Sequence, residues 1–290
     1  MPRYACNLRT SVRGRNHAAT DRRPCPHASR PRRSGRRRPR RCARARTRGG
    51  DRADGADDLS GGDGYDHVDY LNRAASVIVK LDGFSGDGAL DEFDNVQRDV
   101  EHVTGTPYAD VLTGNDEANW LDGSRGNDKI DGREGDDKLV GDAGNDTIDG
   151  AGGDDWISDG TGADIASGGY ADDTFSLDGD ADAGDTLVGG YGTDLVDFQY
   201  RREAVRVSLD GVANDGVAGE NDNLSEVETI HGTDYDDVLV GGKALVSLFG
   251  RGGDDAIDVA DGNPGDVADG GDGTDKCRAD EPDFVRDCES

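Results

Sequence analysis

The sequence is short of the apolar side chains from which a globular core is built. Only 33% of its 290 residues are hydrophobic, 6% are aromatic, and there is one Met. No apolar run approaches the roughly 18 residues of a membrane-spanning helix, and we expect no membrane span. Neither an H-E-x-x-H nor a G-x-S-x-G motif occurs. The sequence therefore predicts neither an ordinary core nor an enzyme.

Positive charge is scarce outside the first 48 residues. Residues 1–48 hold 17 Arg, no Lys and one acid, Asp21, whereas the remainder has 16 basic against 61 acidic residues. The acidic body is therefore expected to bind no nucleic acid. The Arg-rich segment fits a basic nucleic-acid-binding arm, but a disordered tail, or an artefact of a wrong start site or reading frame, is the simpler interpretation.

Glycine and aspartate are abundant instead, and they recur with a period of nine residues. From Gly105 to Ser176 the chain reads as eight unbroken nonapeptides, among them GSRGNDKID, GREGDDKLV and GDAGNDTID. Position 1 is Gly in seven of the eight, position 6 is always Asp or Asn, and position 8 is the apolar one. A fixed period over this length outweighs local propensity and indicates a repeat architecture.

Each nonapeptide is too small to bury a core alone, so the copies must stack. The Gly-rich six residues reverse the chain, and the next three form a short strand with one inward side chain. Two repeats then make one turn, which places a residue above its equivalent in the next turn at a strand spacing of roughly 4.8 Å. We therefore predict an all-β fold, a right-handed parallel β-roll (β-solenoid) with strands on two faces.

This stacking brings like charges together. The position-6 residues form two columns: Asp110, Asp128, Asp146 and Asp164 in one, and Asn119, Asp137, Asp155 and Asp173 in the other. Two unscreened carboxylates about 5 Å apart repel by on the order of 3 kcal/mol at an effective dielectric near 20. Oxygen ligands without nitrogen or sulfur suit a hard cation, and flexible, carbonyl-rich loops favour calcium over magnesium.

These nonapeptides resemble the G-G-x-G-x-D-x-U-x repeats of the RTX (hemolysin-type) calcium-binding family. The resemblance implies calcium ions between successive turns, held by position-6 side chains and loop carbonyls, and it is best over Gly123 to Ser158. Tyr108, Glu117 and Asp159 depart from the glycine pattern. Besides the two columns, the implied metal-site residues are Asp57, Asp66, Asp185, Asp194, Asp237 and Asp255, with the loop glycines Gly123, Gly126, Gly132, Gly135, Gly141, Gly144, Gly150 and Gly153.

Two longer segments interrupt the repeat. We predict a β-roll over 49–197 with an insertion at 70–104, and a second insertion at 198–231 followed by a second roll segment that ends near residue 290. A shift of 128 residues matches GGDGYDHVDY to GGYGTDLVDF and Asp94-Asn95 to Asp222-Asn223. The insertions are therefore copies of one β-rich unit, predicted to leave the roll and to rejoin it at Val103 and Ile230.

Two cysteines lie at the C-terminal end. Cys277 occupies an apolar position 8, and Cys288 lies eleven residues further on. Two reduced cysteines are one interpretation, but a disulfide is the better one, because a terminal repeat needs a cap and such pairs suit an oxidising compartment. Cys-ended tails of this kind resemble those of secreted, actinobacterial-type bacterial RTX proteins.

The outer surface of the roll offers one further pattern. Trp120 and Trp156 both fall at position 7 and are predicted to point outward, with Lys138 between them in the same column. Such a ladder is a platform for a ligand in one interpretation. Lateral packing with cation–π contacts is the plainer account.

The resemblance implies a secreted, extracellular, calcium-binding β-roll without catalytic function, whose folding depends on calcium. Two alternatives stay open. One is the calcium-binding C-terminal part of an RTX enzyme, such as a protease or lipase, without its catalytic domain. The other is an adhesin-like surface protein that uses the outer tryptophans. The sequence leaves any protein or glycan partner unidentified.

Overall fold

The computed structural model describes residues 56–177 and 182–289. The predictions for residues 1–48, and for the first residues of the β-roll predicted over 49–197, lie outside the described residues. Within these ranges every regular element is a strand, and there is no helix that is long and apolar enough to cross a membrane.

The strands are short, as the nonapeptide pattern predicts, and most of them have three residues. In chain order they are β1 (Asp58–Leu59), β2 (His67–Asp69), β3 (Ile78–Lys80), β4 (Asn95–Val96), β5 (His102–Thr104), β6 (Val111–Thr113), β7 (Trp120–Asp122), β8 (Lys129–Glu134), β9 (Lys138–Val140), β10 (Thr147–Gly152), β11 (Trp156–Ser158), β12 (Ile165–Tyr170), β13 (Thr174–Ser176), β14 (Thr186–Tyr191), β15 (Leu195–Asp197), β16 (Val205–Ser208), β17 (Gly216–Val217), β18 (Asn223–Ser225), β19 (Thr229–His231), β20 (Val238–Val240), β21 (Ser247–Gly252), β22 (Ala256–Asp258), β23 (Val267–Asp272), β24 (Lys276–Arg278) and β25 (Phe284–Arg286).

One face of the molecule is a single parallel sheet of eleven strands, in the order β2-β5-β7-β9-β11-β13-β15-β19-β21-β23-β25. In its regular part each residue pairs with its equivalent two nonapeptides away, so Trp120 pairs with Lys138 and Lys138 with Trp156. The strands between these in sequence form the other face, and the chain crosses from face to face at every nonapeptide. This is the stacked parallel β-roll that the period predicts.

The second face is divided into three sheets. They have the strand orders β1-β4, then β18-β14-β12-β10-β8-β6-β3, then β17-β16-β20-β22-β24. The central sheet keeps the same step, with Lys129 paired with Thr147 and Thr147 with Ile165. Ile165 then pairs with Thr186, a longer step, because three residues are added after Ser176.

The core lies between the two faces and is one cluster of buried side chains. In the regular nonapeptides the position-8 residues form it: Leu112, Leu121 and Leu139 are fully buried, and Ile130 and Ile148 are 1% exposed. Each such side chain contributes about 1.5–3 kcal/mol relative to an exposed one. One apolar residue per nonapeptide is therefore enough for a continuous core, because every copy covers the next.

The two insertions are β-rich, as predicted, and they have the same architecture. In the first, β3 pairs forward with β6, β4 pairs back with β1, and a segment through Asp87 runs antiparallel between them. In the second, β16 pairs forward with β20, β18 pairs back with β14, and β17 runs antiparallel to β16.

The inserted strands do not leave the roll; they are part of its second face. Val103 and Ile230 then continue the eleven-stranded sheet, as predicted. One aspartate in each insertion explains this arrangement: the Asp87 carboxylate accepts N–H bonds from Lys80 (2.8 Å) and Val96 (2.7 Å), which ties the forward strand to the backward one. Asp215 does the same with Ser208 (2.6 Å) and Leu224 (3.1 Å).

Candidate metal centre

The position-6 carboxylates form the predicted columns, and backbone N–H groups hold them in line. The N–H of Asp128 donates to Oδ1 of Asp146 at 2.7 Å, and the N–H of Asp146 donates to Oδ1 of Asp164 at 2.6 Å. In the other column the N–H of Asp137 donates to Oδ1 of Asp155 at 2.8 Å. Each aspartate thus fixes the one before it, and its Oδ1 atom is occupied by the fold itself.

The second carboxylate oxygen of these residues is buried and has no donor. In the described part of the chain, the position-6 residues whose Oδ2 atom is buried without a hydrogen-bond partner are Asp128, Asp137, Asp146, Asp155, Asp164, Asp173, Asp194, Asp255, Asp266 and Asp275. A buried, unpaired carboxylate oxygen is costly unless a positive charge or a proton meets it. The rows of Oδ2 atoms are therefore where a cation fits.

The glycines at positions 1 and 4 make room for this arrangement. A Cβ at Gly123 would lie 2.5 Å from Oδ2 of Asp128, and a Cβ at Gly141 would lie 2.6 Å from Oδ2 of Asp146. The same contact with position 6 occurs at Gly132 and Gly150. At position 4, Gly126, Gly135, Gly144 and Gly153 all have positive φ, between 106° and 151°, which only glycine adopts without strain.

Burial raises the pKa of four carboxyls in the middle of the columns, and neighbouring carboxylates raise it further. The pKa reaches about 8 for Asp128 and Asp137, and about 7 for Asp146 and Asp155. The backbone N–H bond to each Oδ1 acts in the opposite direction but does not compensate. Without a cation, the column therefore favours protons on some of its members near neutral pH.

The columns extend beyond the eight central repeats. The N–H of Asp164 donates to Oδ1 of Asp185, and the N–H of Asp173 donates to Oδ1 of Asp194, both at 2.8 Å. Asp185 and Asp194 therefore continue the columns across the lengthened turn, as predicted. In the second roll segment the N–H of Asp237 donates to Asp255 at 2.7 Å. At the N-terminal end Asp66 is buried, and the N–H of the half-buried Asp57 donates to Asp94 at 2.9 Å.

At three predicted residues near the starts of the columns, the side-chain oxygens accept hydrogen bonds from the residue's own loop. Asp110 accepts bonds from the N–H and the hydroxyl of Thr106, and Asp237 does the same with Thr233. Asn119 accepts the N–H of Asn115 at 2.8 Å. Both carboxylate oxygens of Asp110 and Asp237 are thus used by the protein, in loops where Tyr108 and Tyr235 replace the position-4 glycine.

Four acidic residues of the insertions belong to the columns although they are out of phase with the nonapeptides. Asp94 and Asp222 accept the N–H of Asp57 and of Asp185, the latter at 3.0 Å. Glu101 and Glu228 accept the N–H of Asp66 at 2.7 Å and of Asp194 at 2.9 Å. The 128-residue shift, which aligns Asp94 with Asp222, was the signal in the sequence that could have identified the aspartate pair.

Asp159, the aspartate that replaces a position-1 glycine, is drawn into one column. It is 4% exposed, and its carboxylate lies within 4.8 Å of those of Asp164 and Asp185. Burial, and then the Asp185 carboxylate, raise the pKa of Asp159 to about 8. This is the one place in the described ranges where three metal-ligating side chains meet.

The outward-facing ladder exists and is longer than predicted. The Lys138 Nζ atom lies 4.4 Å from the ring centroids of both Trp120 and Trp156. The stack continues beyond Trp120 to His102 at 4.2 Å and on to His67 at 3.7 Å, with the rings nearly parallel. Burial, followed by the charges of His67 and Lys138, lowers the pKa of His102 to about 3, so this ring is neutral in the stack.

The two C-terminal cysteines lie at disulfide-bonding distance, with their Sγ atoms 1.91 Å apart. Cys277 occupies β24, where it pairs with Ile257, and Cys288 follows β25. The predicted pair therefore joins the last two strands of the roll.

Stacked parallel turns, glycine loops and rows of buried carboxylates define a class of protein: an acidic β-roll built to hold hard cations between its turns. The RTX calcium-binding nonapeptide repeat matches the chain in four copies, at residues 104–139, 113–148, 149–183 and 231–264. The chain therefore carries RTX calcium-binding repeats, and the resemblance seen in the nonapeptides is confirmed. No curated protein matches the chain.

Proposed function

We propose that the chain is a secreted calcium-binding β-roll, without catalytic activity of its own, that folds when calcium binds. One observation carries this proposal. Both columns contain buried Oδ2 atoms that accept no hydrogen bond from any described residue. These atoms belong to the position-6 aspartates from Asp128 to Asp173, and to Asp255. The fold holds these carboxylates together although the backbone N–H bond to Oδ1 offsets only part of the cost of burying their charge.

Calcium suits these loops better than magnesium. The candidate ligands are carboxylate and carbonyl oxygens of loops rich in glycine, and calcium accepts six to eight such ligands in flexible geometry, whereas magnesium demands a near-ideal octahedron. The family match to calcium-binding repeats supports the same cation. The position-6 residues would hold the ion through Oδ2, because Oδ1 already accepts an N–H from the preceding turn.

Export and folding are linked in this proposal. A chain whose carboxylates repel stays expanded where calcium is scarce, and it folds where calcium exceeds dissociation constants of about 10⁻⁴–10⁻³ M, the range of extracellular modules. The cysteine pair at bonding distance supports an oxidising compartment.

Calorimetric titration of the chelator-treated chain with calcium tests the binding. We expect saturable binding of several calcium ions, with magnesium at the same concentration giving a much smaller heat and failing to displace calcium. Asp146→Asn should lower the number or affinity of the sites, and Asp149→Asn, which removes an exposed charge three residues away, should not. A chain that binds no calcium at millimolar concentration, or binds magnesium equally, would overturn the proposal.

A further inference from the structure

Seven of the eight central repeats have a glycine at position 1. Asp159 places a carboxylate at this position in the remaining repeat. Elsewhere this position is closed to a side chain: a Cβ at Gly141 would meet Oδ2 of Asp146 at 2.6 Å. Asp159 stands just before the place where the regular stacking is interrupted, since Ile165 pairs with Thr186 rather than with a residue eighteen positions on. A side chain is therefore accommodated at this turn.

The Asp159 carboxylate is aimed into a cluster with Asp164 and Asp185, all within 4.8 Å of one another. Its Oδ1 atom accepts the N–H of Gly160 at 2.8 Å. Its Oδ2 atom is buried and accepts no hydrogen bond from any described residue, and the same holds for Oδ2 of Asp164. Two of the three clustered carboxylates thus each have a buried oxygen without a hydrogen-bond donor.

The buried arginine that acts on Asp159, Arg201, is already engaged by another carboxylate. The Arg201 guanidinium forms an ion pair with Glu220 at 2.9 Å, and both residues are buried. The same guanidinium also acts on the carboxylates of Asp182 and Asp222, which lie close to Glu220. Arg201 therefore interacts with four carboxylates, those of Asp159, Asp182, Glu220 and Asp222.

We propose that Asp159, Asp164 and Asp185 form a three-carboxylate site that binds calcium more tightly than the two-carboxylate pairs of the regular columns. This inference rests on calcium binding by the repeats and adds the residue that distinguishes one site from the rest. Affinity for calcium in such sites rises with the number of charged ligands. The site is therefore the first to fill, at the boundary between the central repeats and the second insertion.

The experiment is a calorimetric calcium titration of the full chain, of Asp159→Gly, which restores the glycine of the repeat, and of Asp159→Asn, which keeps the shape without the charge. Wild type should show one site at least about tenfold tighter than the others. Both variants should lose that step while the weaker sites keep their affinity. The control Asp149→Asn, which removes one exposed charge, should retain the tight step.

The outcomes separate this inference from the broader one. If both Asp159 variants keep the tight step, or if wild type binds in one uniform class, the three-carboxylate site is wrong although calcium binding stands. If Asp159→Gly alters only the stability of the metal-free chain, Asp159 is a partner of Arg201 and the site is equally wrong. A wild type that binds no calcium would instead overturn the proposed function.

Discussion

Replacement of Asp146 by Asn should change stability in opposite directions with and without calcium. Asp146 is shared by two column pairs, with Asp128 before it and Asp164 after it. At calcium tenfold above a site's dissociation constant, each site stabilises the fold by about 1.4 kcal/mol. The variant should therefore lose roughly 3 kcal/mol of calcium-dependent stability. Without calcium it loses a repelling charge, so it should be at least as stable as wild type.

A second substitution separates the ion from the hydrogen bond. Asn keeps an oxygen that can accept the N–H of Asp128, now 2.7 Å from Oδ1. Ala leaves that N–H, on a residue only 2% exposed, without its acceptor, at an extra cost of about 1–3 kcal/mol. Asp146→Ala should thus be less stable than Asp146→Asn under every condition.

The assay is urea denaturation followed by circular dichroism, in chelator and at saturating calcium, with Asp149→Asn as the matched control. Asp149 has the same charge and lies three residues away, but its side chain is exposed on the outer face. If Asp146→Asn keeps the full calcium-dependent stabilisation of wild type, the carboxylate column is not the binding site and the reasoning fails.

Three further predictions concern pH, the ladder and the cysteines. The pKa of Asp128 and Asp137 is raised to about 8 in the folded state, against an ordinary 3.8. The contribution of these two groups to metal-free stability is therefore fully present below about pH 4 and is lost as pH rises through 8. The β signal in chelator should grow on acidification, and an unchanged signal would refute this. Lys138→Ala should cost about 1–2 kcal/mol in urea melts, whereas the exposed Lys129→Ala should cost little. Thiol labelling of native protein should find Cys277 and Cys288 oxidised, and their reduction should cost up to about 3 kcal/mol.

The sequence predicted the regular part of the roll because its signal is local and repeated. Position 8 marked the buried residues, from Leu112 to Phe175, and position 6 marked the buried carboxylates. Stacking then needed no further information, since a unit with one apolar side chain can be buried only by its own copies. The same logic placed Lys138 between Trp120 and Trp156.

What the sequence did not predict depends on pairings between distant residues. The duplication of the insertions was visible, but the way in which β3 pairs forward and β4 pairs backward is set by contacts with β6 and β1. The role of Asp87, which bonds both strands, follows from that geometry. The extension of the ladder to His102 was missed because this residue precedes the unbroken nonapeptides, although it lies the regular 18 positions before Trp120. His67 was missed because the first insertion separates it from His102 by 35 positions, although the two are adjacent in the sheet.

In the proposed function, calcium folds this chain by neutralising the two carboxylate columns. The most direct measurement is far-UV circular dichroism of the full chain at pH 7.5 during a calcium titration from chelator into the millimolar range, with magnesium as the control cation. We predict little β signal in chelator, a cooperative gain with calcium, reversal by renewed chelation, and no comparable gain with magnesium. A full β signal in excess chelator at this pH, or equal folding by magnesium, would contradict it.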